Sequence, residues 1–253
     1  MVPARCYAPR YDRTSVSTAP VVIVSIEVSW VDLDPAASEL RSLSTLLTDD
    51  ERARVAARAT PTLRRRATVS LARRRLLAAE VLGVTPRAVQ LVVSPDGRRL
   101  ASALGSEPLG ISVSTSGDHG LVAVASAGSV GVDVEDFGGG PSTPAFVARV
   151  ASPSERTSLE ARLPADRERA LLRLWTRKEA YLKATGEGIG TDLQRIEAPL
   201  EGGIWAARWQ PLNGAAWHLY DLDCPRPELA AALVAGPASP AGGSVPTLRV
   251  RLG

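Results

Sequence analysis

Between residues 109 and 137 the chain runs "LGISVSTS", "LVAVAS" and "SVGVDVEDF", parted only by the turn signals "GDHG" and "SAGS". Short runs rich in valine and isoleucine, bounded by Gly, Asp and Ser, read as strands. A further β-branched run, "VVIVSIEVSWVDL" (residues 21–33), reads the same way, and "DPAASELRSLSTLL" after it reads as a helix. Thr48 followed by Glu51 is a capping-box pair, so a short helix begins near Asp49. Thr60-Pro61 supplies a threonine N-cap and a proline at the first helical position, and the long helix it opens ends at Gly83. "RAVQLVV" is a strand and "SPDG" a turn. After the break "GGGPSTP", Ser152 and Glu155 make another capping box for a helix through Leu159. A longer helix then covers about 166–185 and stops at Gly186. "RIEAPL", "IWAARWQPL", "AAWHLYDLD" and "ELAAALVAG" read as strands. Helices and strands are interspersed without strict βαβ alternation, so the expected class is α+β.

A chain of 253 residues can bury one large core or two modest ones. The expected organisation is a flexible tail over 1–20, an N-terminal half over 21–108 and a C-terminal half over 109–235. A linker ("GPASPAGGS") and tail follow over 236–253. An apolar share of 45% with 23% charged residues is ordinary for a soluble globular protein. No apolar run is long enough for a membrane span, and the N-terminus lacks the apolar core of a signal peptide. Cys6 and Cys224 lie at opposite ends, without metal-ligand spacing, which fits a reduced, cytoplasmic setting. Arginines crowd residues 52–75 although the net charge is only +3. That crowding suits an anionic partner, but it equally describes a solvated helix face. With 4% aromatics and no nucleic-acid-binding motif, no nucleic-acid partner is expected.

Asp133 and Glu135 stand two apart on the strand "GVDVED", so both carboxylates project from one face while Val132 and Val134 face the core. Side by side they repel unless a proton or cation sits between them, and hard oxygen ligands of this kind suit Mg²⁺. The same D-x-E pattern also occurs on ordinary exposed strands. The chain's two lysines, Lys178 and Lys183, sharpen the picture. Leu171, Trp175 and Leu182 form one helical stripe, and Glu179 and Lys183, four apart, flank it. A surface pair could use arginine, which this chain favours. Lysine differs as a compact, mobile point charge.

"GVDVEDF" and, about forty residues on, "LWTRKEAYLKATGEGI" together resemble the paired signature of the 4'-phosphopantetheinyl transferases, G-[IV]-D-[IV]-E and W-x-x-K-E-[AS]-x-x-K. "LGISVSTSG" is similar to the family's strand ending in a serine-rich turn. The resemblance covers roughly residues 40 to 195, and the length is that of the larger, surfactin-type members. It implies two similar α/β halves forming an intramolecular pseudo-dimer, with the active site at their interface. It also implies Mg²⁺-dependent transfer of the 4'-phosphopantetheine arm of coenzyme A to a serine of an apo acyl or peptidyl carrier protein, releasing 3',5'-ADP. Carried over, Asp133, Glu135 and Glu179 would hold Mg²⁺. Glu179 would act as base, and Lys183 would stabilise the phosphate or protonate the leaving oxygen. Arg54, Arg66, Arg98, Ser114, Thr115 and Lys183 would contact coenzyme A. Arg58, Arg64 and Arg75 would be surface or structural residues. A basic rim would steer an acidic carrier, and a monomer is expected. The alternative implied is a non-catalytic relative that binds coenzyme A or the carrier.

The chain departs from the pattern at two points. Thr115 stands where the family usually has a histidine that contacts the 3'-phosphate. The family's G-[KR]-P turn is Gly97-Arg98-Arg99, which leaves the loop looser or adds a phosphate contact through Arg99. His119 and His218 are expected as loop and structural residues. Lys178, on the apolar stripe, is expected to pack its stem while its head reaches a carboxylate or coenzyme A.

Overall fold

The structure, a computed structural model, describes residues 24–137, 143–188, 190–200, 206–209, 217–236 and 247–251. Its strands form two sheets. The first contains β1 (Ser25–Asp32), β2 (Gln90–Val93), β3 (Arg99–Ser102), β4 (Leu109–Ser116), β5 (His119–Ala125) and β10 (Thr247–Arg251), in the order β10-β1-β5-β4-β3-β2. The second contains β6 (Val130–Asp136), β7 (Ala206–Trp209), β8 (Trp217–Asp221) and β9 (Leu229–Ala235), in the order β6-β9-β8-β7. Neighbours pair antiparallel except β10, which runs parallel to β1. In each sheet the strand that precedes the helices, β1 or β6, lies beside the last antiparallel strand of its own segment, β5 or β9.

Period-two alternation decides how the sheets stack. Ile26, Val28 and Trp30 of β1 and Leu121, Ala123 and Ala125 of β5 pack against Val130, Val132 and Val134 of β6 and Ala231 and Leu233 of β9. The opposite faces take helices. α1 (Ala37–Ser44), α2 (Asp49–Ala56) and α3 (Pro61–Leu82) lie on the first sheet, where Val69, Ala72 and Ala79 meet Ile111, Val122 and Val124. α4 (Pro144–Val150), α5 (Pro153–Glu160) and α6 (Pro164–Thr185) lie on the second, where Leu171, Leu174 and Tyr181 meet Leu219, Ala232 and Val234. The layers are therefore helix, sheet, sheet, helix. The mixed α+β class read from the sequence describes this arrangement.

The helix starts follow local chemistry. Thr48 and Ser152 each close a capping box with Glu51 and Glu155, and the Thr60 hydroxyl accepts from the Leu63 amide. Gly83 and Gly186 end α3 and α6 in the left-handed conformation.

Several expectations differ from what is seen. β5 pairs with β1 and β4 with β5, so both belong to the first sheet and the change of sheet falls between Ala125 and Val130, not at residue 108. The piece assigned to a C-terminal tail holds strand β10. Leu248 packs against the inter-sheet core, while Arg249 and Arg251 pair with Glu27, and Arg251 also reaches Glu80. "RIEAPL" (residues 195–200) is not a strand: it leaves a 3-10 turn at Leu193–Arg195 and continues as irregular chain. The Asp192 side chain caps that turn at the Gln194 amide, and Leu193, Ile196 and Ala198 bury themselves in the α6 core without a strand partner. β3 was not foreseen. The expected N-terminal tail and the linker residues 237–244 lie outside the described residues. Among the described residues no helix is long and apolar enough to cross a membrane.

Candidate active site

β6 turns Val130, Val132 and Val134 towards the first sheet, which leaves Gly131, Asp133 and Glu135 facing α6. A Cβ on Gly131 would lie 1.9 Å from the Ala180 carbonyl oxygen, so glycine is what lets α6 rest directly on the strand. A serine ladder on β4 fixes the other flank. Ser112 Oγ accepts from the Val132 amide at 3.0 Å. Ser114 Oγ donates to Asp133 Oδ1 at 2.7 Å and Ser116 Oγ to Glu135 Oε2 at 3.1 Å. The alternate serines of "GISVSTS" thus serve as fasteners between sheets, and Thr115 falls on the opposite face of β4, towards α3.

From α6, Lys183 Nζ donates to Asp133 Oδ1 at 2.6 Å and to Ser114 Oγ at 2.9 Å. Trp175 Nε1 donates to Glu135 Oε1 at 3.3 Å while its ring packs on Phe146. Glu179 is 8% exposed and accepts no hydrogen bond among the described residues. Asp133, Glu135, Trp175, Glu179 and Lys183 line one cavity of about 460 Å³. All three carboxyls are held above their usual pKa. Burial is the main cause for each, the Asp133 charge adds to the effect on Glu135 and Glu179, and Lys183 opposes it.

A second cavity, of about 530 Å³, lies against α2 and α3 and contains Arg54, Arg66 and Arg58. Arg66 is paired there with Asp118 at 2.6 Å. Thr115, Arg74 and Arg99 line both cavities, so the two are continuous. Arg98 is not brought to either. It bonds Asp96 at 2.7 Å and Ser129 at 2.9 Å, because the "SPDG" turn hydrogen-bonds back on itself and points its side chain sideways. Arg98, expected to contact coenzyme A, is thus turned away from both cavities, while its neighbour Arg99 lines them. Arg75 is buried in a bidentate pair with Glu51, and Arg64 bonds the Arg58 carbonyl, both structural roles. His119 begins β5 and His218 lies in β8, and neither lines the cleft.

Lys178 points away from the cleft. It is fully buried, and its Nζ donates to Glu155 Oε2 at 2.5 Å, Val150 O at 2.8 Å and Leu193 O at 3.0 Å. Burial pulls its pKa down while Glu155 opposes that shift. Of the two destinations expected for its head, the carboxylate is the one found.

The 4'-phosphopantetheinyl transferase superfamily model matches residues 129–234, which span Asp133, Glu135, Glu179 and Lys183. The 4'-phosphopantetheinyl transferase HetI of Nostoc sp. is 32% identical over 219 residues, covering 85% of this chain and 91% of HetI. This chain belongs to the 4'-phosphopantetheinyl transferase superfamily.

Two shorter matches agree with that membership. The slr0495 protein of Synechocystis sp., provisionally described as a 4'-phosphopantetheinyl transferase, is 32% identical over 48% of this chain and 50% of its own length. The 4'-phosphopantetheinyl transferase of Bacillus subtilis is 27% identical over 50% of this chain and 54% of its own. Matching therefore spans about half the length of these two relatives and most of HetI.

The carboxylates of the cleft suit a hard divalent cation. Asp133 Oδ2 is buried without a hydrogen-bond partner, and Glu179 faces the same cavity without one. They are not drawn together as a formed ligand cluster among the described residues. Lys183 and Ser114 engage Asp133 Oδ1, while Ser116 and Trp175 hold both oxygens of Glu135. Arg74 is the cleft residue that sequence reasoning missed. Within "RRRATVSLARRR" nothing in the spacing separates the arginine that turns towards β4 from its neighbours.

Proposed function

We propose that this chain moves the 4'-phosphopantetheine arm of coenzyme A onto a serine hydroxyl of an apo acyl or peptidyl carrier protein and releases 3',5'-ADP. The observation that carries the reading is one cavity holding Asp133, Glu135, Glu179 and Lys183, continuous with a second lined by arginines. Reaction of a hydroxyl at the phosphorus of a pyrophosphate needs a base, charge neutralisation and placement of a polyanion. Glu179, with its raised pKa and no hydrogen-bond partner among the described residues, suits removal of the serine proton. Lys183 keeps its ammonium at the cavity wall through Ser114 and Asp133, where it can compensate charge gathering on the departing phosphate. Mg²⁺ would be held by Asp133, Glu135 and Glu179, and when bound it would neutralise the pyrophosphate oxygens. The arginine cavity suits the nucleotide end of coenzyme A, with guanidinium groups for its phosphate.

The like strand order of the two sheets supports reading the chain as two similar halves of the surfactin-type arrangement. We place their boundary between Ala125 and Val130 and the cleft between them. Such an internal pair favours a monomer, and the arginine-rich rim favours an acidic carrier surface. The test is incubation with coenzyme A, Mg²⁺ and a panel of apo carriers. The carrier's mass should rise by one phosphopantetheine, and Glu179→Gln should abolish the shift while melting as a folded protein. Coenzyme A binding with no mass change in any carrier would overturn transfer in favour of simple binding.

A further inference from the structure

The polar anchors of α6, Arg177 on Asp221 and Lys178 on Glu155, lie more than a turn before Lys183, and neither lines the cleft. The last turn of the helix is seated in another way. On its side it rests on Gly131 of β6, where a Cβ would come within 2.6 Å of the Ala184 nitrogen. At its end, Gly186 meets the 94–98 turn of the first sheet. A Cβ on Gly186 would lie 2.2 Å from the Asp96 carbonyl oxygen and 2.8 Å from the Arg98 nitrogen, so the two backbones are in contact. That turn is closed on itself. The Ser94 amide donates to the Arg98 carbonyl at 2.8 Å, and the Gly97 amide to the Ser94 carbonyl at 2.9 Å. Arg98 then ties it down. Its Nε donates to Asp96 at 2.7 Å, and its Nη1 crosses to Ser129 Oγ at 2.9 Å. Ser129 lies in the loop between the sheets, and its carbonyl accepts from the Gly236 amide, just past β9, at 2.9 Å. The guanidinium thus joins a turn of the first sheet to a loop fixed on the second.

We infer that the 94–98 turn is the end-stop of α6 and that Arg98, by fastening the turn to Ser129, is a positioning residue for Lys183. As far as turnover is concerned, the inference rests on the function proposed above. Lys183 stands three residues before Gly186, so a slide of the helix end carries its ammonium along. One residue of helix is about 1.5 Å long. The contacts of Lys183 Nζ with Asp133 at 2.6 Å and Ser114 at 2.9 Å leave no slack for a shift of that size. A misplacement of about 1 Å at a reacting group can cost about a hundredfold in rate. Arg98 acts through the backbone of the turn and touches no substrate, which gives a purpose to a guanidinium turned away from both cavities.

Hydrogen exchange on the full chain without coenzyme A tests the end-stop directly. In Arg98→Ala and in Ser129→Ala the amides of residues 184–186 should exchange roughly tenfold faster, the effect of one lost charge-assisted hydrogen bond, while those of 171–178 stay as in wild type. In transfer assays both variants should lower kcat roughly five- to tenfold and leave KM for coenzyme A within about twofold, the mark of lost positioning and not of a lost ligand contact. The double variant should be no worse than either single one, since both remove the same bond. Arg98→Lys, which keeps a donor, should recover part of kcat. Gly97→Ala drives a methyl into the Gly186 carbonyl and should cost kcat more, roughly a hundredfold. The two half-exposed polar substitutions keep the test readable if that variant does not fold. Unchanged exchange in the folded variants, faster exchange with wild-type kcat, or an effect confined to KM for coenzyme A would each overturn the assignment. If the wild-type chain transfers nothing, faster exchange in the variants would still support the end-stop while refuting the proposed reaction.

Discussion

Replacing Lys178 by methionine keeps the length of the side chain and removes its ammonium, which makes it a direct probe of how α6 is held. The ammonium gives the carbonyls of Val150 and Leu193 and the Glu155 carboxylate a donor at a point with no solvent access. After the change both carbonyls lose that donor, and Glu155 keeps the amides of Ser152 at 2.7 Å and Ala198 at 2.8 Å. Breaking one side of a buried ion pair costs about 3–5 kcal/mol. Set against a total stability of about 5–15 kcal/mol, that loss is large. At about 2–4 °C per kcal/mol for a domain of this size, melting should fall by roughly 6–20 °C. Urea unfolding of the single variants Lys178→Met and Glu155→Gln and of the double variant would measure the coupling, expected at about 1–3 kcal/mol. Because Lys178 does not line the cleft, kcat measured well below the melting point should stay near wild type. Additive single effects, or a Lys178→Met variant that loses less than about 1 kcal/mol, would refute the reasoning.

Lys183→Arg keeps the charge but replaces a compact donor by a planar fork that does not reproduce the joint contact with Asp133 and Ser114. Transfer should fall at least about tenfold in kcat, with melting unchanged, and wild-type turnover would dismiss the role. The three raised carboxyls also predict a pH dependence. In the folded metal-free chain they hold protons that the unfolded chain has released, so their ionisation opposes folding. That penalty is absent below the unfolded carboxylate range and fully present once pH has passed the raised values. Glu135→Gln should therefore gain melting temperature over wild type as pH rises from about 4 to about 7, and added Mg²⁺ should shrink the difference. A difference that is flat across this range would contradict the geometry.

Local chemistry made much of this fold legible before its coordinates. Thr48, Thr60, Ser152, Gly83 and Gly186 mark their helix ends because each satisfies, or frees, backbone groups within a few residues. The D-x-E spacing on β6 and the four-residue step from Glu179 to Lys183 likewise fix which side chains share a face. Partners distant in sequence were harder to read. Nothing local in "TLRVR" says that it returns to the edge of β1 some 220 residues away, and β3 is too short and mixed to announce itself. Arg98 and Arg99 differ only in which way a turn throws them, a choice made by Asp96 and Ser129. Lys178 and Lys183 share a helix and a residue type. One is enclosed by three acceptors and the other stands at the cavity wall, a division that depends on α5 and β4 being in place.

The close approach of Gly97 and Gly186 has a consequence for recombining the segments on either side of residues 126–129 with those of relatives. A Cβ on Gly97 would sit 2.3 Å from the Gly186 carbonyl oxygen, and one on Gly186 would sit 2.2 Å from that of Asp96. The loop at residues 126–129 is the natural crossover point for a chimera, since the chain changes sheets there. A donor half that carries any side chain at either glycine would jam the end of the lysine-bearing helix against the opposite turn. Crossovers should therefore be chosen as matched pairs of turns and helix ends, with the two glycines inherited together.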